Sequence, residues 1–176
     1  MEALSKDEFL RLLTAAKAKR ERDWLMILVH FWHALRNSEV RALTRHSVKD
    51  GYLIIHRLKG SEDSEQELVR HANPLLNERD ALEKWALNFA GNQRLFPISR
   101  WQYWRNVRAH ALAAGIPRHK AKTTVLKHTL CSLMIENAPI NKVQKRAGHK
   151  AMSSTGRYME AKNSEVDRII VDAVGL

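Results

Sequence analysis

Cysteine occurs once in this 176-residue chain, at Cys131, so no intramolecular disulfide is possible and a reducing compartment is expected. Cys131 lies in an apolar run and reads as core filling rather than as a nucleophile. Long apolar stretches are missing too. The longest, Trp24–Trp32 (WLMILVHFW), is interrupted by His30 and falls far short of the ~20 residues that a membrane span needs. The opening MEALSKDEFL lacks the apolar core of a secretory signal. There is no glycine-rich phosphate loop and no G-x-S-x-G elbow. No acidic run resembles a magnesium-dependent nuclease, and the nine histidines with Cys131 offer no convincing metal spacing. His30 and His33 fall within the apolar segment Asp23–Ala34 and read as structural. No cofactor is expected.

Acidic residues are the scarcer charge: 19 Asp and Glu against 30 Lys and Arg leave +11, with a pI near 10.1. That excess suits a polyanion, nucleic acid first and an anionic membrane surface second. An apolar fraction of 44% is that of a folded chain, and the length fits one domain over residues 1–176. The combined expectation is a soluble, intracellular (cytoplasmic) protein that meets nucleic acid.

Periodicity gives a mostly α chain with a small antiparallel β-sheet. Ser5 and Glu8 form a capping box before a helix over residues 4–19, with Leu4 and Phe9 at the staple positions. Asp23–Ala34 is apolar almost all round, which predicts a central helix. Asn37 is placed to cap a short third helix. Asp50-Gly51 is a hairpin turn before YLIIHRL, and EQELV returns as a strand, so residues 46–71 form two or three antiparallel strands. Helical patterns resume near Asn77–Ala90, Arg100–Ala114 and Thr124–Asn137, and a last short helix covers Ser164–Val174.

Four stretches carry reactive side chains in an order that packing alone does not require. ALRNSEV holds Arg36 just before a helix start, and RLKGS holds Lys59 on a turn. TTVLKHT brings Thr124, Lys127 and His128 onto one helix. AGHKAMSSTGRY places His149 nine residues before Tyr158, one of only three tyrosines.

Together these resemble the catalytic domain of the tyrosine recombinases, the phage integrase family. The family's arginine followed by Ser-Glu matches Arg36, Ser38 and Glu39, and its turn lysine matches Lys59. Its His-x-Leu-Arg-His-Thr box stands here as Thr124-Val125-Leu126-Lys127-His128-Thr129. Its Gly-His with a tyrosine nine residues on matches Gly148, His149 and Tyr158. The order holds over nearly the whole chain.

The resemblance implies site-specific cleavage and rejoining of double-stranded DNA without a metal or other cofactor. Tyr158 would be the nucleophile, Arg36 would grip the non-bridging oxygens, and Lys59 would protonate the leaving 5′ oxygen. His149 would hydrogen-bond the phosphate or take the tyrosyl proton, and Glu39 would orient local structure. It also implies a homo-tetramer on DNA and no membrane. The family's N-terminal core-binding domain has no counterpart before LSKDEF. The apolar spacing of Val166, Ile169, Ile170 and Val174 suits either packing in cis or docking on a neighbouring protomer.

Two box positions depart from the family. Thr124 replaces its histidine and Lys127 its second arginine. A lysine keeps the charge and loses the bidentate fork. His33-Ala34 stands where the family has Thr-Gly. Two functions stay open: an active, atypical strand transferase, and a degenerate, non-catalytic member that binds DNA or a partner recombinase.

Overall fold

The computed structural model describes residues 2–57 and 63–148. Its first helix, α1 (Lys6–Lys19), starts where the capping box predicts. Ser5 Oγ accepts from the Glu8 N–H at 3.1 Å, and the Glu8 carboxylate accepts from the Ser5 N–H at 2.8 Å. Phe9, Leu12, Leu13 and Ala16 bury the inner stripe of α1 against α2 (Glu21–Trp32). Phe9 stacks on Phe31 with ring centroids 3.9 Å apart. Every residue of α2 from Asp23 to Phe31 is buried, because α1, α3, α4, α5 and α6 all pack on it. An apolar surface running round a helix is stable only with neighbours on every side.

After α3 (Asn37–Ala42) and one 3₁₀ turn (Arg45–Ser47), the chain makes a three-stranded antiparallel sheet: β1 (Val48–Lys49), β2 (Tyr52–Ile55) and β3 (Ser64–Glu67). Asp50 (φ 51°) and Gly51 (φ 82°) close the first hairpin, both in the left-handed region that a two-residue loop requires. A Cβ on Gly51 would meet only the movable guanidinium of Arg79, so it is the positive φ that favours glycine there. β2 alternates as a half-buried strand should, with Leu53 and Ile55 inward and Tyr52 outward.

Four helices complete the described chain: α4 (Glu78–Ala86), α5 (Arg100–Ala113), α6 (Thr124–Ile135) and α7 (Ile140–Ala147). Ser99 caps α5 by accepting from the Gln102 N–H at 3.0 Å. Cys131 is fully buried on α6, as core filling. No helix among the described residues is long and apolar enough to cross a membrane.

Three local expectations change. Arg36, not Asn37, occupies the N-cap of α3: its carbonyl accepts the first helical bonds, from the Glu39 and Val40 N–H groups at 3.0 and 3.1 Å, and the Glu39 carboxylate accepts its main-chain N–H at 2.7 Å. α4 ends at Ala86, four residues early, in a turn through Leu87 and Phe89. α7 was hidden behind Pro139, which reads as a break but sits at the N-cap, where a missing N–H is no loss. The expected helix over Ser164–Val174 lies outside the described residues.

Candidate active site

Arg36 lies at the mouth of a cleft of about 370 Å³ formed where α3 meets the start of α6. Its N-cap position puts the guanidinium beside the helix start rather than along the helix. Nη1 donates to Glu39 Oε1 at 2.7 Å, and the side chain keeps 35% of its surface open. The cleft wall continues through Arg41, Arg100, Thr124, Lys127 and His128, and among the described residues no carboxylate lines it. Four cationic side chains facing one small concavity make a site for an anion of phosphate size.

Glu39 has no exposed side-chain surface and holds two arginines at once. Burial on its own would raise its carboxyl, but the Arg36 N–H and the Arg57 and Arg36 guanidinium groups overcome that and hold it below the usual range. The second guanidinium, that of Arg57, two residues beyond β2, donates from Nη1 to Glu39 Oε2 at 2.9 Å. Nothing in the sequence flags Arg57, which looks like any polar residue in an alternating strand.

Arg57 also reaches α7. Its Nη2 donates to the Arg146 carbonyl at 2.9 Å, and Gln66 Nε2 donates to the same oxygen at 3.2 Å. Lys127 Nζ donates to the next carbonyl, Ala147, at 2.7 Å. These are carbonyls that a helix C-terminus leaves without partners, and its negative end favours cations. Arg146 returns the tie by donating to the Trp32 carbonyl at 2.8 Å and 2.6 Å through Nε and Nη2. Gly148 then caps α7 in the left-handed region at φ 62°, and a Cβ there would lie 2.9 Å from Arg57 Nε.

Lys127 is nearly buried on α6. Burial, then the nearby Arg36 and Arg57 charges, pulls its ammonium down to about 8. His30 on α2 lines the same cleft. Its Nδ1 lies 2.9 Å from the Tyr103 hydroxyl, and burial with the Lys127 charge lowers it to about 3, so the imidazole is neutral. Thr124 is exposed as the first residue of α6. His33 is buried between Gln66 Oε1 at 3.0 Å and the Glu78 carboxylate at 3.0 Å. Ala34 follows it with φ 47°, a backbone that suits the glycine the family pattern carries there.

Of the six residues singled out from sequence, the fold brings Arg36, Thr124 and Lys127 to one cleft. Lys59, His149 and Tyr158 lie outside the described residues. Among the described residues, no group of three His, Cys, Asp or Glu side chains is placed to hold a metal.

Known proteins share this fold. Tyrosine recombinase XerA of Thermococcus kodakarensis (strain ATCC BAA-918 / JCM 12380 / KOD1) is 26% identical over 164 residues, covering 89% of this chain and 57% of its own length. The chain spans about half the length of the curated relatives it matches. The crystal structure of XerA recombinase superposes with a TM-score of 0.77 at 20% identity, over 98% of this chain and 65% of that one. A lambda integrase (75–356) dimer bound to a COC′ core site gives 0.73 at 18% identity, over 92% of this chain and 60% of that one. At such identities the likeness establishes a shared fold, mostly helical with a small antiparallel sheet. The family model described as "Phage integrase family" matches residues 2–165. With that match spanning nearly its full length, the chain belongs to the phage integrase family of tyrosine recombinases.

Proposed function

We propose that this chain cleaves and rejoins double-stranded DNA through a 3′-phosphotyrosine intermediate. The observation that carries the reading is the cleft holding Arg36 and Lys127, which no carboxylate lines among the described residues, with Lys127 also tied to the C-terminal end of α7. In the proposed step the Tyr158 phenolate oxygen bonds to phosphorus as the P–O5′ bond breaks. Lys59 gives its proton to the departing 5′ oxygen. His149 accepts the phenol proton or donates to the phosphate. Arg36, already oriented by Glu39, binds the non-bridging oxygens as their charge grows. Thr124 supplies one neutral donor at the rim, and Lys127 supplies charge. Because the phosphotyrosine conserves the bond, attack by a 5′-hydroxyl from another strand reverses the step without ATP. The oligomer on DNA, a tetramer by family likeness, and docking of the Ser164–Val174 segment on a neighbour belong to the same proposal.

A second reading has its own observation. The Lys127 ammonium gives one donor to the Ala147 carbonyl, so the position that is arginine in the family here also ties down α7 and presents the cleft with no planar fork. A chain in which that tie is permanent would bind DNA without cutting it. A pool of nicked suicide duplexes of randomised sequence separates the two. A covalent protein–DNA adduct that disappears in Tyr158→Phe supports the enzyme. Selected tight binders that never form an adduct would sink it.

A further inference from the structure

Five tryptophans are present, and three serve the fold. Trp24, Trp32 and Trp85 donate their indole N–H groups to the Leu75, Leu76 and Leu95 carbonyls at 3.0, 3.2 and 3.0 Å. The other two stand on α5 and do nothing of the kind. Trp101 is 62% exposed and Trp104 36%, and neither indole N–H has a hydrogen-bond partner among the described residues. Each carries an arginine one turn on: the Arg105 guanidinium lies 4.7 Å from the Trp101 ring centre, and that of Arg108 5.1 Å from Trp104. α5 contains no acidic residue.

These rings line a second concavity, which shares Asn37, Arg100, Thr123 and Thr124 with the cleft of Arg36 and Lys127. Lys122 adds a further cation, half exposed and, among the described residues, paired only with Glu2 at 3.5 Å. A strand whose phosphate occupies the cleft therefore continues onto an aromatic wall set among positive charges. Within a duplex both faces of every base are covered by its neighbours, so an indole face is open only to a base outside the stack. Backbone-tracking cations with exposed rings are the combination that holds single strands. We propose that Trp101 and Trp104 form a stacking platform for unpaired bases of a DNA strand next to the Arg36–Lys127 cleft.

The proposal rests on DNA as the partner but not on the phosphotyrosine step, so a protein that forms no adduct leaves it standing or falling by itself. The probes are a fluorescein-labelled oligo(dT) and a duplex of equal length, titrated by anisotropy at one salt concentration. Trp101→Ala/Trp104→Ala should weaken oligo(dT) binding about tenfold or more and duplex binding less than about threefold. Trp101→Phe/Trp104→Phe should retain most of the oligo(dT) affinity, because a flat ring remains. Trp101→Leu/Trp104→Leu should lose it, and this pair also decides the case if the alanine pair melts early. Equal losses on both probes, no loss on either, or leucine performing like phenylalanine would overturn the proposal. So would a change of oligomeric state in light scattering with oligo(dT) affinity intact, which would make the wall a contact between copies.

Discussion

Replacing Arg57 by alanine removes one guanidinium from a place where three acceptors depend on it. Its side chain has no exposed surface; it faces Glu39 Oε2 at 2.9 Å, the Arg146 carbonyl at 2.9 Å and, more weakly, the His33 carbonyl at 3.5 Å. Breaking a buried ion pair from one side costs ~3–5 kcal/mol, because the remaining charge stays buried without its partner. Glu39 retains Arg36, and the Arg146 carbonyl retains Gln66, so the low end, about 3 kcal/mol, applies here. For a chain of this size that corresponds to roughly 6–12 °C in Tm. Urea unfolding is the measurement: Cm should fall with the m-value unchanged. Arg57→Lys should recover less than half, since one ammonium cannot span Glu39 and α7 together. A double-mutant cycle with Glu39→Gln isolates the pair and should give a coupling of about 2 kcal/mol or more. A loss below about 1 kcal/mol for Arg57→Ala would refute the idea that this guanidinium ties the Arg36 end of the cleft to α7.

Three further outcomes are expected. With Lys127 lowered to about 8, its charge leaves the cleft as pH rises through that value; adduct formation should decline over the same range, and Lys127→Arg should abolish the decline and raise the rate. An unchanged alkaline limb in Lys127→Arg counts against a role for the charge. His30 has a native pKa of about 3 against 6.5 unfolded, so its neutral form contributes stability that is complete above 6.5 and is lost as pH falls toward 3. That contribution has a slope approaching 1.4 kcal/mol per pH unit, which His30→Asn should remove from a urea series. Gly148→Ala should cost about 1–3 kcal/mol, since a left-handed residue gains a Cβ 2.9 Å from Arg57 Nε; a loss under a few tenths in Cm-derived stability would mean that α7 and Arg57 separate freely.

Much of the fold was legible because its signals are local. Ser5 with Glu8, Asp50 with Gly51, and the apolar stripe of α1 each act within four residues, where spacing is geometry. α7 escaped notice because Pro139 is ambiguous from sequence: it ends one element or begins the next depending on which neighbours bury the turn that follows. The ordered boxes at Arg36, Lys59, Lys127, His149 and Tyr158 were legible as a family pattern, though spacing says nothing about where the charges point.

By itself the sequence determined the helical class, the hairpin at Asp50-Gly51, the cationic excess and the family to which the chain belongs. Only the tertiary structure decided that Arg36 is held by a carboxylate shared with Arg57, and that Lys127 reaches back to α7. These contacts join residues 18, 89 and 20 positions apart, as Glu39–Arg57, Arg57–Arg146 and Lys127–Ala147 do. Local propensity cannot encode such pairings. They exist because burying a guanidinium or an ammonium is tolerated only where the packed elements present it with an acceptor.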